Sequence, residues 1–159
     1  GELIRVARAL YLESAFEPAE GAEALLAGIA ERGAEAKAVA EAQAAALELT
    51  GREAEQRVRR AQRGAEREEL LAQLEELESW YRDLVVVAAG AEPAAVHVDR
   101  LAELRADAAP GRLLAAERCC ELVRAAWREA EELQVSAPLA LEALLIRLRD
   151  ELGPTPAAA

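Results

Sequence analysis

Residues 70–87 read LLAQLEELESWYRDLVVV, and no other stretch of this chain restricts its fold so tightly. Leu70, Leu71, Leu74, Leu77, Tyr81, Leu84, Val85 and Ala88 recur at steps of three and four, so on a helix they form one apolar stripe. Gln73, Glu75, Glu76, Arg82 and Asp83 lie off it. A helix with such a stripe is stable only when other elements cover it, so the rest of the chain has to pack there.

A chain of 159 residues has the size of one ordinary domain. At that size about 68–70% of the unfolded chain's surface can be buried, enough for a real core. The apolar residues are mostly alanine, with two Trp, two Tyr and one Phe, a composition that suits closely packed helices and builds strands poorly. An all-α bundle of about six to seven helices is therefore expected. The net charge of −11 argues against a phosphate-binding surface, which needs clustered Lys and Arg. Acidic against basic residues number 11 to 9 over residues 1–63, 11 to 4 over 64–109 and 8 to 6 over 110–159, so the middle is the acidic part.

Cys119 and Cys120 are sequence neighbours in a helical context, where adjacent side chains point about 100° apart, so a structural disulfide between them is not expected. With no secretory leader, no apolar run long enough to span a bilayer and no cysteine framework, the expected compartment is the cytoplasm. The chain lacks methionine and begins at Gly1, which suggests a piece of a longer protein.

Along the chain, Leu3, Val6, Ala7, Leu10 and Tyr11 predict a first helix ending near Phe16. Pro18 suits the first turn of a second helix carrying Leu25, Leu26 and Ile29, with Gly33 near its end. Residues 34–49 are mostly Ala and Glu, high in helix propensity but with little to hold them. Thr50 and Glu53 have capping-box spacing, so a new helix is expected there, helical to about Ala89. That would make roughly 55 Å of helix, either bent at Gly64 or continuous with a loosely packed first half. Glu53 with Arg57, Glu55 with Arg59 and Glu78 with Arg82 have i, i+4 pairing distance.

Gly90 and Pro93 end the long helix, and Asp99 is placed to cap a short one through Ala108, with Leu101 and Leu104 inward. After Pro110 and Gly111 a helix from Leu113 to about Leu133 presents Leu113, Ala116, Cys120, Val123, Trp127 and Ala130 on one face, which Cys119, Leu122, Ala126 and Leu133 widen. Ser136 can cap a last helix lined by Leu141, Leu144, Leu145, Leu148 and Leu152. Gly153 and Pro154 stop it, leaving residues 154–159 as an expected disordered tail.

No catalytic constellation stands out. The one lysine, Lys37, has no phosphate-cradling glycine loop beside it, so nucleotide hydrolysis is not expected. His97 has only Asp99 near in sequence, too few partners for a metal, and reads as a loop histidine before a helix cap. Cys119 and Cys120 read as small core residues, and the pairs Glu75–Glu76 and Glu131–Glu132 as solvated faces. No metal, cofactor or catalytic residue is assigned, and a small helical hydrolase lacks its nucleophile or acid/base pair.

Three stretches carry a family likeness: WYRDLVVVAAGAE at 80–92, HVDRLAELRADA at 97–108 and QVSAPLALEALLIRLRDEL at 134–152. In order and spacing they resemble the collar domain that closes the delta-prime subunit of the bacterial DNA polymerase III clamp loader. That family has an aromatic-Arg-Asp-Leu helix end, an Asp-Arg-Leu helix start and a closing Leu-Ala-Leu-Glu-x-Leu-Leu helix. The upstream GREAEQRVRRAQRGAERE is similar to the basic stretch before the collar in actinobacterial-type members. The likeness covers about residues 51–152.

The resemblance implies a non-catalytic oligomerisation module. Residues 1–50 would include the tail of the preceding AAA+ lid region, and residues 51–153 would be the collar. Collars of the delta-prime, gamma/tau and delta subunits pack side by side in that family, holding the loader ring together while it loads the sliding clamp during DNA replication. The family's AAA+ module, with its arginine for a neighbour's ATP site, has no counterpart in these residues. Under this reading Trp80, Arg82, Asp83, Arg100, Arg147 and Arg149 are candidates for the subunit interface, the charged ones at its rim. Neither direct nucleic-acid contact nor a membrane is expected. The alternatives are a collar of the gamma/tau type and a stand-alone helical scaffold that dimerises through its long helix.

Overall fold

The computed structural model describes residues 1–13, 16–109, 111–132 and 136–153. Among them are six α-helices and no strand: α1 (Glu2–Leu12), α2 (Pro18–Ala46), α3 (Gly51–Ala88), α4 (Leu101–Asp107), α5 (Leu113–Glu132) and α6 (Ala137–Leu152). Two 3-10 turns, Glu92–Ala94 and Val98–Arg100, connect α3 to α4.

Cross-helix bonds fix the directions. Arg32 of α2 lies 3.5 Å from Glu69 of α3, Arg124 of α5 lies 2.7 Å from Glu78 of α3, and Arg118 of α5 lies 2.5 Å from Glu151 of α6. The amino group of Gly1 reaches Glu76, while Tyr11 comes to the Leu84–Ala88 end of the same helix. So α1 and α6 run with α3, and α2 and α5 run against it. The C-terminal ends of α1, α3 and α6 and the N-terminal end of α5 gather at one end of the bundle, where α4 also sits.

The stripe on α3 does organise the core. Leu70, Leu74, Leu77, Trp80, Tyr81 and Leu84 are buried, and around them close Ile4 and Leu10 of α1, Leu25 and Ile29 of α2, Leu104 of α4, Cys119 and Val123 of α5, and the expected leucines of α6. Residues 3–29 contribute to this core, and residue 50 lies in the turn between α2 and α3.

Several boundaries move. The first helix stops at Leu12, before Phe16. Gly33 does not end α2: the alanine-rich segment after it continues the same helix to Ala46. A Cβ at Gly33 would come within 2.5–2.9 Å of the Glu66 side chain, so the glycine marks a close approach of α2 to α3 and not a stop. The long helix is continuous through Gly64, and its first buried residue is Leu70, which matches the loosely packed first half. Its 38 residues span about 57 Å.

The cap expectations fare less well. Thr50 is the N-cap of α3 but makes no side-chain bond, and the chain enters the helix through Gly51 at φ 61°. Asp99 sits inside a 3-10 turn, Arg100 taking the N-cap of α4, and Ser136 caps α6 without a side-chain bond. Glu55 meets Arg59 at 3.5 Å as expected. Glu53 makes no pair with Arg57, and Glu78 turns from Arg82 to Arg124 across the helix interface. Both long helices close with a six-to-one and a five-to-two hydrogen bond: Leu49 N to Ala44 O and Glu48 N to Ala45 O after α2, and Ala91 N to Val86 O and Gly90 N to Val87 O after α3. The left-handed position is Gly90 in one and Glu48, at φ 53°, in the other. Leu133 and the tail 154–159 lie outside the described residues.

Candidate functional site

Two of the segments that carry the family likeness meet where α3 joins α4. Asp83, one turn from the end of α3, is buried and collects the connection: it accepts hydrogen bonds from the backbone N–H of Val96 at 2.9 Å and of His97 at 2.8 Å. The His97 ring lies against it, Nδ1 to Oδ2 2.8 Å. Burial pushes the Asp83 carboxyl up, but the His97 and Val96 N–H groups and the His97 ring pull it the other way, and the net is below its ordinary value. The same ring stands edge-on to Trp80, centroids 5.5 Å apart at 74°.

Trp80 lies beneath two cations. The Arg100 guanidinium is 4.4 Å from its centroid and that of Arg8, from α1, is 5.5 Å away. Arg8 forks onto Asp107 of α4 at 2.6 and 3.2 Å and also reaches Glu103, which Arg100 holds at 2.8 and 3.0 Å. Tyr11 donates to Asp107 at 2.5 Å, and Arg112 covers the Tyr11 ring at 5.0 Å. Burial and the Asp107 bond together raise the Tyr11 hydroxyl far above its usual value, and Asp107 raises Arg8. Arg105 clasps Glu92 at 2.6 and 2.9 Å, tying the first 3-10 turn to α4. A chain of charged and aromatic contacts thus welds α1, α3 and α4 into one end of the bundle.

Of the six expected interface residues, the structure brings Trp80, Asp83 and Arg100 together here. Trp80 and Asp83 are fully buried within the chain: the Asp83 oxygens accept from the chain's own N–H groups, which takes it off an exposed rim, and Trp80 is walled in by His97 and two arginines. Arg82 is half exposed, its guanidinium 3.9 Å from Asp83. Arg147 and Arg149 sit apart on α6, Arg147 exposed and Arg149 3.8 Å from Glu17. Arg8, Tyr11, Glu103 and Asp107 escape sequence reasoning because their partners lie 95–99 residues away. One signal was present: Asp107 falls one turn after Leu104 on the inward face of a short helix, where a carboxylate needs a partner.

The welded end also carries exposed apolar side chains. Leu12, Val96, Val98 and Leu114 are 59–63% exposed and Leu113 is 37% exposed, at the ends of α1, the connection and α5. Among the described residues, only Val39, Leu47, Leu139 and Ile146 elsewhere are large, apolar and exposed to a comparable degree. Both cysteines are buried, which pushes the Cys119 thiol up to about 12 and the Cys120 thiol up to about 11, so neither is a nucleophile at neutral pH. Among the described residues no group of His, Cys, Asp and Glu is arranged to hold a metal ion, and no helix is long and apolar enough to cross a membrane. Comparison with protein-family models, with curated proteins and with solved structures finds no match to this chain.

Proposed function

We propose that this chain is a non-catalytic assembly module, the collar-type region of a clamp-loader delta-prime subunit, and that it works by lending a rigid helical end to a ring of similar domains. The observation that carries the reading is the pairing of a stiff weld with exposed Leu12, Val96, Val98, Leu113 and Leu114 around it. An apolar surface held by rigid elements binds without an ordering cost, which is what a permanent ring contact needs. The partners are the gamma/tau and delta collars of the loader, in the bacterial cytoplasm, and the polar rim falls to Arg82 and Arg100. That the Trp-Tyr-Arg-Asp and His-x-Asp-Arg-Leu segments supply the weld gives a physical reason for their order and spacing in such a module.

The test is solution mass by light scattering, for the chain alone and mixed with the collar region of the ATPase subunit of the same organism. The expected result is a monomer that forms a stable mixed complex, lost in a variant carrying Val98→Asp and Leu114→Asp with an unchanged circular dichroism spectrum. A tight self-dimer indifferent to that partner would sink the collar reading.

A further inference from the structure

The acidic balance of the whole chain conceals a basic strip. Stepping about 100° per residue, Arg52, Gln56, Arg59, Arg60 and Arg63 fall within about 100° of one another on α3. Ala54, Val58 and Ala65, which line the seam with α2, are on the opposite side, while Arg59 and Arg63 also rim grooves that α2 side chains line. All five are exposed, four of them arginines, and among the described residues Arg52, Arg60 and Arg63 form no ion pair, while Arg59 keeps one loose contact of 3.5 Å to Glu55. Glu53 and Glu55 flank the strip and no carboxylate of α3 falls inside it.

We infer that this face of α3, exposed over residues 52–63 before it turns into the buried Leu70, Leu74 and Leu77, is a docking strip for the phosphodiester backbone of a nucleic acid. Four guanidiniums spread over about 16 Å of helix meet a duplex that presents one charge per ~1.7 Å of its axis, and each fork suits phosphate oxygens. A protein partner fits less well, because protein interfaces centre on desolvated apolar or aromatic anchors and none stands among these arginines; the nearest, Leu26, Ile29 and Leu70, line the groove beside Arg63, where Ile29 and Leu70 are already buried in the chain's own core. The acidic bulk of the molecule does not cancel the strip. Arg52 lies about 27 Å and Arg63 about 10 Å along the helix from Leu70, where the core begins, and charges more than ~8 Å apart are largely screened at physiological salt. The strip lies away from the welded end, and the inference does not rest on the collar reading.

Fluorescence anisotropy of a short labelled DNA duplex, titrated with the 159-residue chain, tests it. Three to four phosphate contacts imply that binding weakens roughly 40-fold or more between about 50 and 200 mM salt. Arg52→Gln, Arg60→Gln and Arg63→Gln together should abolish both the binding and its salt dependence. Arg5→Gln, Arg118→Gln and Arg128→Gln, with the same change in net charge, should leave affinity within about twofold. Circular dichroism verifies that both triple variants fold. No binding at the lowest salt, an equal loss in the control variant, or preferential capture of poly-glutamate over DNA would overturn the inference, the last by giving the strip to an acidic polypeptide.

Discussion

Asp83 converts a helix end into a fixed corner. A loop of two 3-10 turns has few backbone bonds of its own, and the carboxylate supplies acceptors for two consecutive N–H groups and a histidine ring. Because its folded pKa lies below the unfolded value, the unfolded chain binds more protons between the two, and stability rises with pH across that window. The contribution is complete above the unfolded value near 4 and fades as pH falls through the folded one. Asp83→Asn should therefore cost about 1.5–3 kcal/mol at neutral pH, the range for hydrogen bonds to a charged group. In urea denaturation the gap between variant and parent should close as the pH is lowered below about 4. A gap that stays constant to the lowest pH would show that the charge of Asp83 is not what holds the corner. At this scale the sequence was partly legible. Asp83 and His97 each stand in a recognisable segment, but their contact depends on the exact path of the intervening 3-10 turns, which no local pattern encodes. The Arg8–Asp107 fork, between helices at opposite ends of the first hundred residues, is a product of tertiary packing alone.

At the scale of the helix, glycine separates two situations that look alike in sequence. Gly21 and Gly64 both sit inside long helices. A Cβ at Gly21 would lie 2.6 Å from Val6 Cγ1 and 2.9 Å from the Phe16 ring, whereas one at Gly64 meets nothing within 4 Å. Gly64→Ala should gain about 1 kcal/mol through helix propensity. Gly21→Ala should lose about 1–2 kcal/mol, as crowding between α1 and α2 outweighs the same propensity gain. Denaturant midpoints of the two variants should move in opposite directions, and a common direction would mean that Gly21 is not a packing contact. The same distinction explains which elements could be read in advance. The apolar period located the second half of α3, α5 and α6 to within a few residues, because a stripe of large or small apolar side chains states both helix and face. The far half of α2 has alanines in place of leucines, so its helix is legible while its partner is not, and Gly33, which reads as an end, lies against the Glu66 side chain. The capping signals at Thr50, Asp99 and Ser136 named the right neighbourhoods, yet none forms a side-chain cap.

For the whole molecule, the distribution of large side chains implies two grades of stability. The core runs from Ile29 on α2 and Leu70 on α3 toward the welded end, and no residue between those two belongs to it. Beyond that limit α2 and α3 face each other through Gly33, Ala40, Ala44, Ala54, Val58 and Ala65, which offer little apolar area. Fully burying a leucine contributes about 1.5–3 kcal/mol, and an alanine methyl no more than about 0.8. The hairpin therefore relies on helix propensity and on its continuity with a core that holds only its base. Arg67 marks that base, meeting Glu131 near the C-terminal end of α5 at 2.6 Å. Native-state hydrogen exchange should then find two cooperative units. Amides of residues 74–84 should exchange only through global unfolding, while those of residues 36–46 and 54–62 should open at lower cost, with protection at least about tenfold weaker. Mild denaturant should raise exchange in the core more steeply than in the hairpin, since global unfolding exposes more surface than separating two alanine faces. Equal protection along the whole of α3 would mean that its 38 residues unfold as one unit, with the alanine seam as strongly coupled to the core as the leucine stripe.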